Sequence, residues 1–345
     1  MEMKLLIYEF ICGGGLAGQL LPESLQTEGF AMLSSVVEDF SRIHDVDVVT
    51  TLDNRLKNLK LPVETVFLAE GNEEERLRNL ACEADFAVVI APESDQILYE
   101  RSRWIDESGA NRIGSSLDAI QLTADKFALG NHLQEAGVPT VPGQIVRPEK
   151  GPPTDTSYPA VLKPIDGAGS QSTYLIRDEQ AAVLMTAETS ENGLRGEALL
   201  QPYVPGTAVS VSFLIGARSS IGLPACSQKL SPDGRFQYQG GRCPLLQNQA
   251  ERASRLAEKA VSNVSGLAGY VGVDLVLGED AGGDVVVEIN PRWTTSYVGL
   301  RRRTVTNLAE TLLDVFQGSR PRIQWESLIV SFSSDGTFTR ESNRQ

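Results

Sequence analysis

The chain has 345 residues, of which 45 are acidic and 31 are basic, and its formal net charge is −14. A protein that binds a phosphate backbone needs a basic surface, so this charge argues against nucleic acid as a partner. No apolar run reaches the roughly 18 residues that cross a membrane, and the N-terminus has no signal-peptide pattern. We therefore expect a cytoplasmic protein that does not associate with membranes and holds two or three domains.

Cysteine and histidine chemistry is not indicated by this sequence. The four cysteines include no Cys-x-x-Cys pair, and neither of the two histidines has a neighbouring metal ligand or catalytic partner at a useful spacing. This argues against a zinc site, a disulfide framework and histidine-based proton transfer.

Residues 1–114 alternate apolar strands with helical patterns, which is typical of a parallel sheet in an α/β layer domain. The predicted strands are Leu5–Ile11, Asp47–Thr51, Val63–Phe67 and Phe86–Ile90. The predicted helices between them are Gly29–Ile43, Glu73–Glu83 and Asp95–Glu107.

Residues 115–200 are expected to form linker helices and a small α+β lid. A helix is predicted at Thr123–Ala136, ending at Gly137, and the polar segment Arg147–Tyr158 is expected to be an exposed connector. The remaining lid elements are predicted strands at Ala160–Lys163, Gln171–Ile176 and Ala198–Gln201 and a helix at Asp178–Thr189.

Residues 201–320 are expected to form a third, β-rich unit. Its strands begin in Val209–Tyr238, and helices are predicted at Asn248–Ser265 and Thr304–Gln317. The polar residues 321–345 are expected to be a peripheral tail.

Three candidate metal ligands follow from two apolar runs. Val285–Asn290 ends in Glu288-Ile-Asn290, and side chains two apart on a strand share a face. Asp274, on the preceding apolar run, can join them. Two carboxylates and one amide suit Mg²⁺, which takes hard oxygen ligands and leaves positions for phosphate. The alternative is that both acids are ordinary solvated strand ends and that Asn290-Pro291 opens a turn.

A candidate phosphate-binding segment follows the strand that ends at Lys163. Asp166–Ser172 is rich in small residues, among them Gly167, Gly169 and Ser170, so its backbone N–H groups can approach phosphate oxygens. The P-loop pattern is absent, so any phosphate cradle is of another kind. The alternative is an exposed hairpin loop with an unpaired lysine.

Taken in order, these segments resemble the ATP-grasp superfamily of carboxylate–amine ligases over residues 115–318. The segment around Lys126, the strand lysine, the glycine-rich loop, the hinge-like Gln201–Val204 and the three candidate ligands all carry the resemblance. One departure is Ala208, which stands where an acid often binds the ribose.

The resemblance implies an α/β, ATP-grasp fold, with an antiparallel C-terminal domain, and ATP with Mg²⁺ or Mn²⁺ as cofactors. It implies a nucleotide site that includes Lys126, Lys163, Gly167, Gly169, Ser170, Gln201, Tyr203 and Val204. It places the metal on Asp274, Glu288 and Asn290, and catalysis on Arg292, Lys163 and Asn290. The implied reaction is ADP-forming: the acid is phosphorylated, and an amine attacks the acylphosphate.

Three further segments are similar to a subgroup that includes the tyramine–glutamate ligases of methanofuran biosynthesis. They begin at Tyr8, Tyr238 and Asn290, and the arginine triplet Arg301–Arg303 offers charge for an anionic acid or only solvation. This resemblance implies substrate contacts at Glu9, Gly13, Gly14, Arg242, Thr294, Thr295 and Arg301. The expected partners are a small carboxylate such as glutamate, an aromatic amine or amino acid such as tyramine or tyrosine, and a second copy in a homodimer.

Three other readings remain. Gly13–Gly18 satisfies Gly-x-Gly-x-x-Gly after a strand, which would suit an NAD(P)-dependent oxidoreductase, but Pro22 interrupts the expected helix. A non-catalytic nucleotide-binding regulator would need neither both lysines nor all three metal ligands. A biotin-dependent carboxylase would need length for partner domains.

Overall fold

The computed structural model of the protein describes residues 3–167, 169–183 and 196–342, which contain three β-sheets. Within these ranges no helix has the length and apolar character needed to cross a membrane.

The N-terminal domain is the expected parallel sheet. Its strands are β1 Met3–Glu9, β2 Val46–Asp53, β3 Glu64–Leu68, β4 Phe86–Ile90 and β5 Asn111–Arg112, in the spatial order β3-β2-β1-β4-β5. Its helices are α1 Glu23–Phe40, α2 Glu73–Glu83 and α3 Ile97–Ser108.

The N-terminal helices cover opposite faces of this sheet. Leu5 and Ile7 pack with residues of α1, whereas the alternate residues Leu6 and Tyr8 pack with residues of α2 and α3. The chain therefore changes sides between β1 and β4. In open α/β sheets, the crevice at the carboxyl ends of two such strands is the usual ligand site.

The helix predicted at Thr123–Ala136 is two helices, α4 Leu117–Ala124 and α5 Lys126–Glu135. The prediction of one helix was wrong because Asp125 interrupts it. The extended backbone of Asp125 lets its carboxylate accept hydrogen bonds from the N–H groups of Phe127 and Ala128, which is a helix N-cap. The interruption places Lys126 at the first position of α5.

The lid sheet contains four strands in the order β6-β9-β7-β8. They are β6 Gln144–Val146, β7 Ala160–Pro164, β8 Tyr174–Ile176 and β9 Ala198–Pro202. β8 begins three residues later than predicted, and β9 extends the lid sheet to Pro202, two residues beyond the division expected at residue 200. Residues 184–189 of the helix predicted at Asp178–Thr189 lie outside the described residues.

The C-terminal domain is built on an eight-stranded sheet in the order β15-β14-β10-β12-β13-β16-β17, with β11 beside β10. The strands are β10 Thr207–Ile215, β11 Ser220–Gly222, β12 Cys226–Leu230, β13 Tyr238–Cys243, β14 Gly269–Leu277, β15 Val285–Asn290, β16 Leu328–Phe332 and β17 Phe338–Ser342. The helices are α6 Gln247–Ser262, α7 Ser296–Leu300 and α8 Leu308–Phe316. Short 3-10 helices lie at Asn54–Leu56, Ser94–Gln96, Pro148–Lys150, Ala281–Gly283 and Arg301–Arg303.

Two further helix starts differ from the sequence expectation by four residues or more. α1 begins at Glu23, directly after Pro22, six residues earlier than predicted. α8 begins at Leu308 because Asn307 caps it, accepting hydrogen bonds from the N–H groups of Ala309 and Glu310. The predicted start at Thr304 was therefore wrong.

The expectation of a peripheral tail was also wrong. β16 pairs with β13 inside the large sheet, and Val330 and Phe332 are buried. The ring of Phe332 lies directly on Gly299, where an added Cβ would overlap it. The apolar residues of Leu328–Phe332 carried this signal, which the polar composition of the surrounding segment hid.

We expect Phe332→Ala to lower the free energy of unfolding by about 3–5 kcal/mol, because it removes a buried ring and leaves a cavity. Phe338→Ala is the matched control, since Phe338 is 39% exposed and its removal should cost less than about 1 kcal/mol. Urea denaturation of both variants measures the difference. Equal losses would show that β16 is not part of the core.

Candidate functional site

The three predicted metal ligands lie together on adjacent strands. Asp274 on β14 is directly opposite Glu288 on β15, and Asn290 lies two residues further along the same strand. The Nδ2 of Asn290 donates a hydrogen bond to Oδ2 of Asp274 at 3.2 Å. A β-bulge follows Asp274 in this pairing, a device that often re-aims side chains next to active sites.

The two carboxylates compete for the same small volume. Burial, and then the charge of Glu288, raise the pKa of Asp274 to about 8. Burial would raise the pKa of Glu288 as well, but Lys126, Lys163 and Arg292 outweigh it and keep that pKa below its usual value. The two carboxylates therefore repel each other, and a bound cation would relieve this repulsion.

Two lysines face these carboxylates from different elements. The Nζ of Lys126, at the start of α5, lies 3.5 Å from Oε2 of Glu288 and donates to the carbonyl of Gly167 at 2.6 Å. Lys163, on the lid strand β7, is buried, and this burial lowers its pKa to about 8 against the opposing effect of Glu288. The predicted lysine pair therefore meets the predicted metal ligands.

Arg292 joins the cluster and ties it to the N-terminal domain. Its Nη2 lies 3.3 Å from Oδ1 of Asn290 and 2.9 Å from Oε2 of Glu93, and its Nε donates to the same Glu93 oxygen at 3.0 Å. Burial alone would lower the pKa of Arg292, but Glu93 and Glu288 raise it. Arg292 therefore remains a fixed positive charge.

The glycine-rich loop lies beside this cluster, since Gly167 accepts the Lys126 hydrogen bond. Gly167, Gly169 and Ser170 all have positive φ angles, which glycine adopts without strain and serine does not. Asp166 accepts a hydrogen bond from the backbone N–H of Asp95 in the N-terminal domain. Ala168, which lies between the two glycines of this loop, is outside the described residues.

The hinge residues form a separate part of the site. Gln201 is buried, and its Nε2 donates to the carbonyl of Val141 at 2.8 Å. Tyr203 is 36% exposed and stacks on Phe236 with the ring centres 6.3 Å apart, and Val204 is half-buried beside it. Phe236 has a φ of 54°, which is rare for a bulky residue and often marks a functional segment.

The first glycine-rich loop has internal roles. The Glu9 carboxylate accepts hydrogen bonds from the N–H groups of Ile11 and Cys12 at 3.0 and 2.6 Å. A Cβ on Gly13 would overlap the carbonyl of Glu9, and a Cβ on Gly14 would overlap Leu68. No helix opens in this loop, since α1 begins at Glu23, so the dinucleotide-binding context is missing.

The remaining predicted substrate residues fall in two places. Thr294 and Thr295 follow β15, where the Oγ1 of Thr295 donates to Oε1 of Glu28 at 2.7 Å. The Thr294 hydroxyl lies 2.8 Å from that of Ser296. Arg242, on β13, is exposed and is not part of the charged cluster.

Arg301 forms ion pairs with two acidic residues of α1. It is buried, its Nε donates to Oδ2 of Asp39 at 2.7 Å, and its Nη2 lies 2.8 Å from Oε2 of Glu38. Tyr297 donates to the same Asp39 carboxylate at 2.6 Å. These contacts join α1 to the C-terminal domain, and they explain the placement of Arg301 without a bound anion.

The sequence reasoning missed two side chains at the cluster. Gln228, on β12, donates to Oδ1 of Asp274 at 2.9 Å. Glu93 follows the buried strand β4 by three residues, so the strand-end argument used for Glu288 could have found it. Gln228 reaches Asp274 because strands that are far apart in sequence pair in one sheet. Nothing in the local sequence around Gln228 indicates this pairing.

The chemistry of the donor set fits a divalent cation bound together with a nucleotide. Among the described residues no group of three His, Cys, Asp or Glu side chains could hold a metal ion alone. Two carboxylates and one amide leave coordination positions for phosphate oxygens and water, as Mg²⁺ requires. Two lysines and one arginine beside them can neutralise phosphate charge.

Comparison with known proteins agrees with this geometry. The profile of the ATP-grasp domain matches residues 123–296, and that of the pre ATP-grasp 3 domain matches residues 46–120. The chain belongs to the ATP-grasp family. It is an ATP-dependent ligase of this fold, and it is 28% identical to the tyramine–L-glutamate ligase of Methanocaldococcus jannaschii over 320 residues, which are 90% of this chain and 88% of that protein.

Solved structures share the fold. A putative ATP-grasp superfamily protein from Archaeoglobus fulgidus superposes with a TM-score of 0.69 at 24% identity, covering 95% of this chain and 92% of that one. The biotin carboxylase domain of Hydrogenobacter thermophilus 2-oxoglutarate carboxylase, solved with MgADP and bicarbonate, gives a TM-score of 0.70 at 19% identity, with coverages of 95% and 73%. ATP and Mg²⁺ are therefore typical ligands of this family.

We expect Glu288→Gln to abolish most of the thermal stabilisation by MgATP, because it removes the ionised ligand but keeps the side-chain size. A ligand at about 100 times its Kd stabilises the native protein by about 2.7 kcal/mol. Glu279→Gln, an exposed acid in the turn between β14 and β15, is the control and should keep the full shift. An unchanged shift in Glu288→Gln would remove the metal assignment.

Asp39→Asn should lower the free energy of unfolding by about 3–5 kcal/mol, because it removes the buried carboxylate that pairs with Arg301 and leaves only the more exposed Glu38. Glu38→Gln removes a more exposed partner and should cost less than about 1 kcal/mol. Chemical denaturation measures both. If Asp39→Asn kept wild-type stability, the structural role of Arg301 would be refuted.

Proposed function

We propose that the protein joins a small carboxylic acid to an amine with ATP, forming ADP, phosphate and an amide. One observation carries the proposal. Two carboxylates and an amide lie close to three cationic side chains that come from three parts of the chain. These six residues are Asp274, Glu288, Asn290, Lys126, Lys163 and Arg292. Such a cluster suits phosphoryl transfer, which depends on positioning and charge neutralisation.

Each part of the cluster has a role in this reaction. Lys126 and Lys163 would hold the α- and β-phosphates, and Gln201, Tyr203 and Val204 would contact the adenine. Asp274, Glu288 and Asn290 would hold Mg²⁺ or Mn²⁺, which supplies charge neutralisation at the β- and γ-phosphates when bound. Gly167, Gly169 and Ser170 would cover the site and exclude water, which would otherwise hydrolyse the activated acid.

The chemistry balances without a nucleophile from the protein. A carboxylate oxygen of the acid attacks the γ-phosphorus, ADP leaves, and an acylphosphate forms. The neutral amine nitrogen then attacks the acyl carbon, phosphate leaves, and the nitrogen gives up one proton. Arg292, whose guanidinium contacts Asn290, would neutralise the transferred phosphoryl group.

The proposed substrates are glutamate and an aromatic amine such as tyramine or tyrosine. The similarity to the tyramine–L-glutamate ligases supports this choice, because it extends over nine-tenths of the chain. Thr294 and Thr295 lie four and five residues after the end of β15, and we assign them to the acceptor side of the proposed site.

A bicarbonate-dependent activity is the second candidate, because biotin carboxylases are also among the similar proteins. Residues of this chain match the chloroplastic biotin carboxylase 1 of Populus trichocarpa at 23% identity over 83% of this chain and 57% of that protein. Such an enzyme would release phosphate with bicarbonate and without an amine.

We expect phosphate release from MgATP to require both glutamate and an aromatic amine. Lys163→Met should lower kcat by about 100-fold or more, since a buried charge that contacts phosphate is lost. Lys60→Met, an exposed lysine of the N-terminal domain, is the control and should leave kcat unchanged. A coupled phosphate assay measures both. Release with bicarbonate alone, or release independent of the amine, would contradict the amide-forming reaction.

A further inference from the structure

Four side-chain hydroxyl groups meet at the start of α7. The Oγ of Ser296 lies 2.8 Å from Oγ1 of Thr294. The same atom lies 3.0 Å from Oγ of Ser212 on β10 and 3.1 Å from the hydroxyl oxygen of Tyr270 on β14. No other hydrogen bond involves these four hydroxyl groups in the part of the chain that the structure describes. Ser296 is therefore the shared partner of the other three.

The register of the strands places this hydroxyl cluster next to the proposed metal ligands. Gly272 on β14 lies opposite Asn290 on β15. Tyr270, Gly272 and Asp274 are two residues apart along β14, so they share one face of the sheet. The side chain of Thr294 covers Gly272, since an added Cβ there would lie 2.8 Å from Cγ2 of Thr294. Gly272 itself is roughly 7 Å from Asp274 along the strand.

The direction of the hydrogen bonds in this cluster follows from a count of its protons. A hydroxyl group donates one hydrogen bond and accepts up to two. Ser296 has three hydroxyl partners, so it accepts from two of them and donates to the third. The hydroxyl group that accepts from Ser296 keeps its own proton for a partner outside the cluster.

Burial decides which hydroxyl group keeps this outward proton. Ser212 and Tyr270 are each 1% exposed, whereas Thr294 is only half-buried. A donor without a partner is costly at a buried position, so Ser212 and Tyr270 both donate to Ser296. Ser296 then donates to Thr294, and the hydroxyl proton of Thr294 is directed away from the cluster.

We propose that Thr294 donates this hydrogen bond to an oxygen of the acid substrate and that Ser296 is the positioning residue that fixes its direction. This inference rests on the proposed ligase function and deepens it, because it assigns Thr294 to the acid rather than to the amine. A hydroxyl group whose proton points outward suits a carboxylate or acylphosphate oxygen, whereas an ammonium group offers only donors. The acid has to lie beside the metal-bound phosphate to be phosphorylated, and Thr294 covers the residue opposite Asn290.

A double-mutant cycle tests both assignments. Thr294→Val keeps the side-chain shape but removes the donor, and we expect it to raise the KM of glutamate by about 10-fold or more, as for a lost hydrogen bond to a charged group. Thr294→Ser keeps the donor and should restore the KM. Ser296→Ala should raise the same KM by about 3-fold or more, because the Thr294 hydroxyl group is no longer held in one direction. In the Thr294→Val background, Ser296→Ala should have no further effect. The KM values of ATP and of the amine should stay unchanged throughout.

Two further variants separate positioning from stability. Ser296→Ala combined with Ser212→Ala and Tyr270→Phe leaves no buried hydroxyl group without its acceptor, so it serves if Ser296→Ala alone does not fold, and it should show the same rise in KM. Tyr297→Phe removes a buried hydroxyl group that donates to Asp39 instead, and it should lower stability without changing the KM of glutamate.

An unchanged KM of glutamate in Thr294→Val, a rise in the KM of the amine instead, or additive effects in the double variant would overturn this inference. Absence of amide formation by the wild type would instead refute the ligase function. The same cycle, measured as the Kd of glutamate by calorimetry on the full chain with MgADP, would then still decide on Thr294 and Ser296. A wild type that does not bind glutamate would overturn the inference, and ligation of another acid would then uphold the ligase function alone.

Discussion

Mutual compensation of buried charge is the constraint on which the site depends. Three acids, Asp274, Glu288 and Glu93, lie within reach of three cations, Lys126, Lys163 and Arg292. Removing one partner from such a set leaves an uncompensated charge in low dielectric, which is far more costly than losing a surface ion pair. The set also couples the parts of the chain, because Lys163 belongs to the lid and Glu93 belongs to the N-terminal domain. Nucleotide binding and the arrangement of the three sheets are therefore energetically linked.

The residues of this site that were predictable from sequence are those whose positions follow from the pattern of a single strand. Glu288 and Asn290 stand two apart at the end of an apolar run, so a single strand dictates that they converge. Lys163 likewise ends the run Ala160–Leu162. Asp274 required one more step, the pairing of two neighbouring strands, and the register places it opposite Glu288. Local periodicity was sufficient for Glu288, Asn290 and Lys163, and the pairing of two consecutive strands added Asp274.

The parts that could not be predicted depend on which distant segments meet. Gln228 reaches Asp274 across a sheet whose strand order does not follow the chain. Arg301 was read as a possible anion ligand because its partner, Asp39, is 262 residues away. The strand Leu328–Phe332 was predicted to be peripheral because its pairing partner, Tyr238–Cys243, is distant in sequence, and the sequence of that partner does not show that another strand pairs with it. Helix starts at Lys126 and Leu308 depended on side-chain caps rather than on periodicity.

The distribution of charge across the interdomain crevice follows from the two sheet topologies. The parallel sheet presents the carboxyl ends of its strands, and here those ends carry acids, with Glu28 on the adjoining helix. The antiparallel sheet and the lid present Lys163 and Arg292 from the other side. Positive charge thus lies on the side of the lid and the antiparallel sheet, and the ion pair of Arg292 with Glu93 joins the two sides. In the proposed reaction this distribution of charge would hold the acylphosphate on the side of Lys163 and Arg292, so the amine would have to approach it from the side of the parallel sheet.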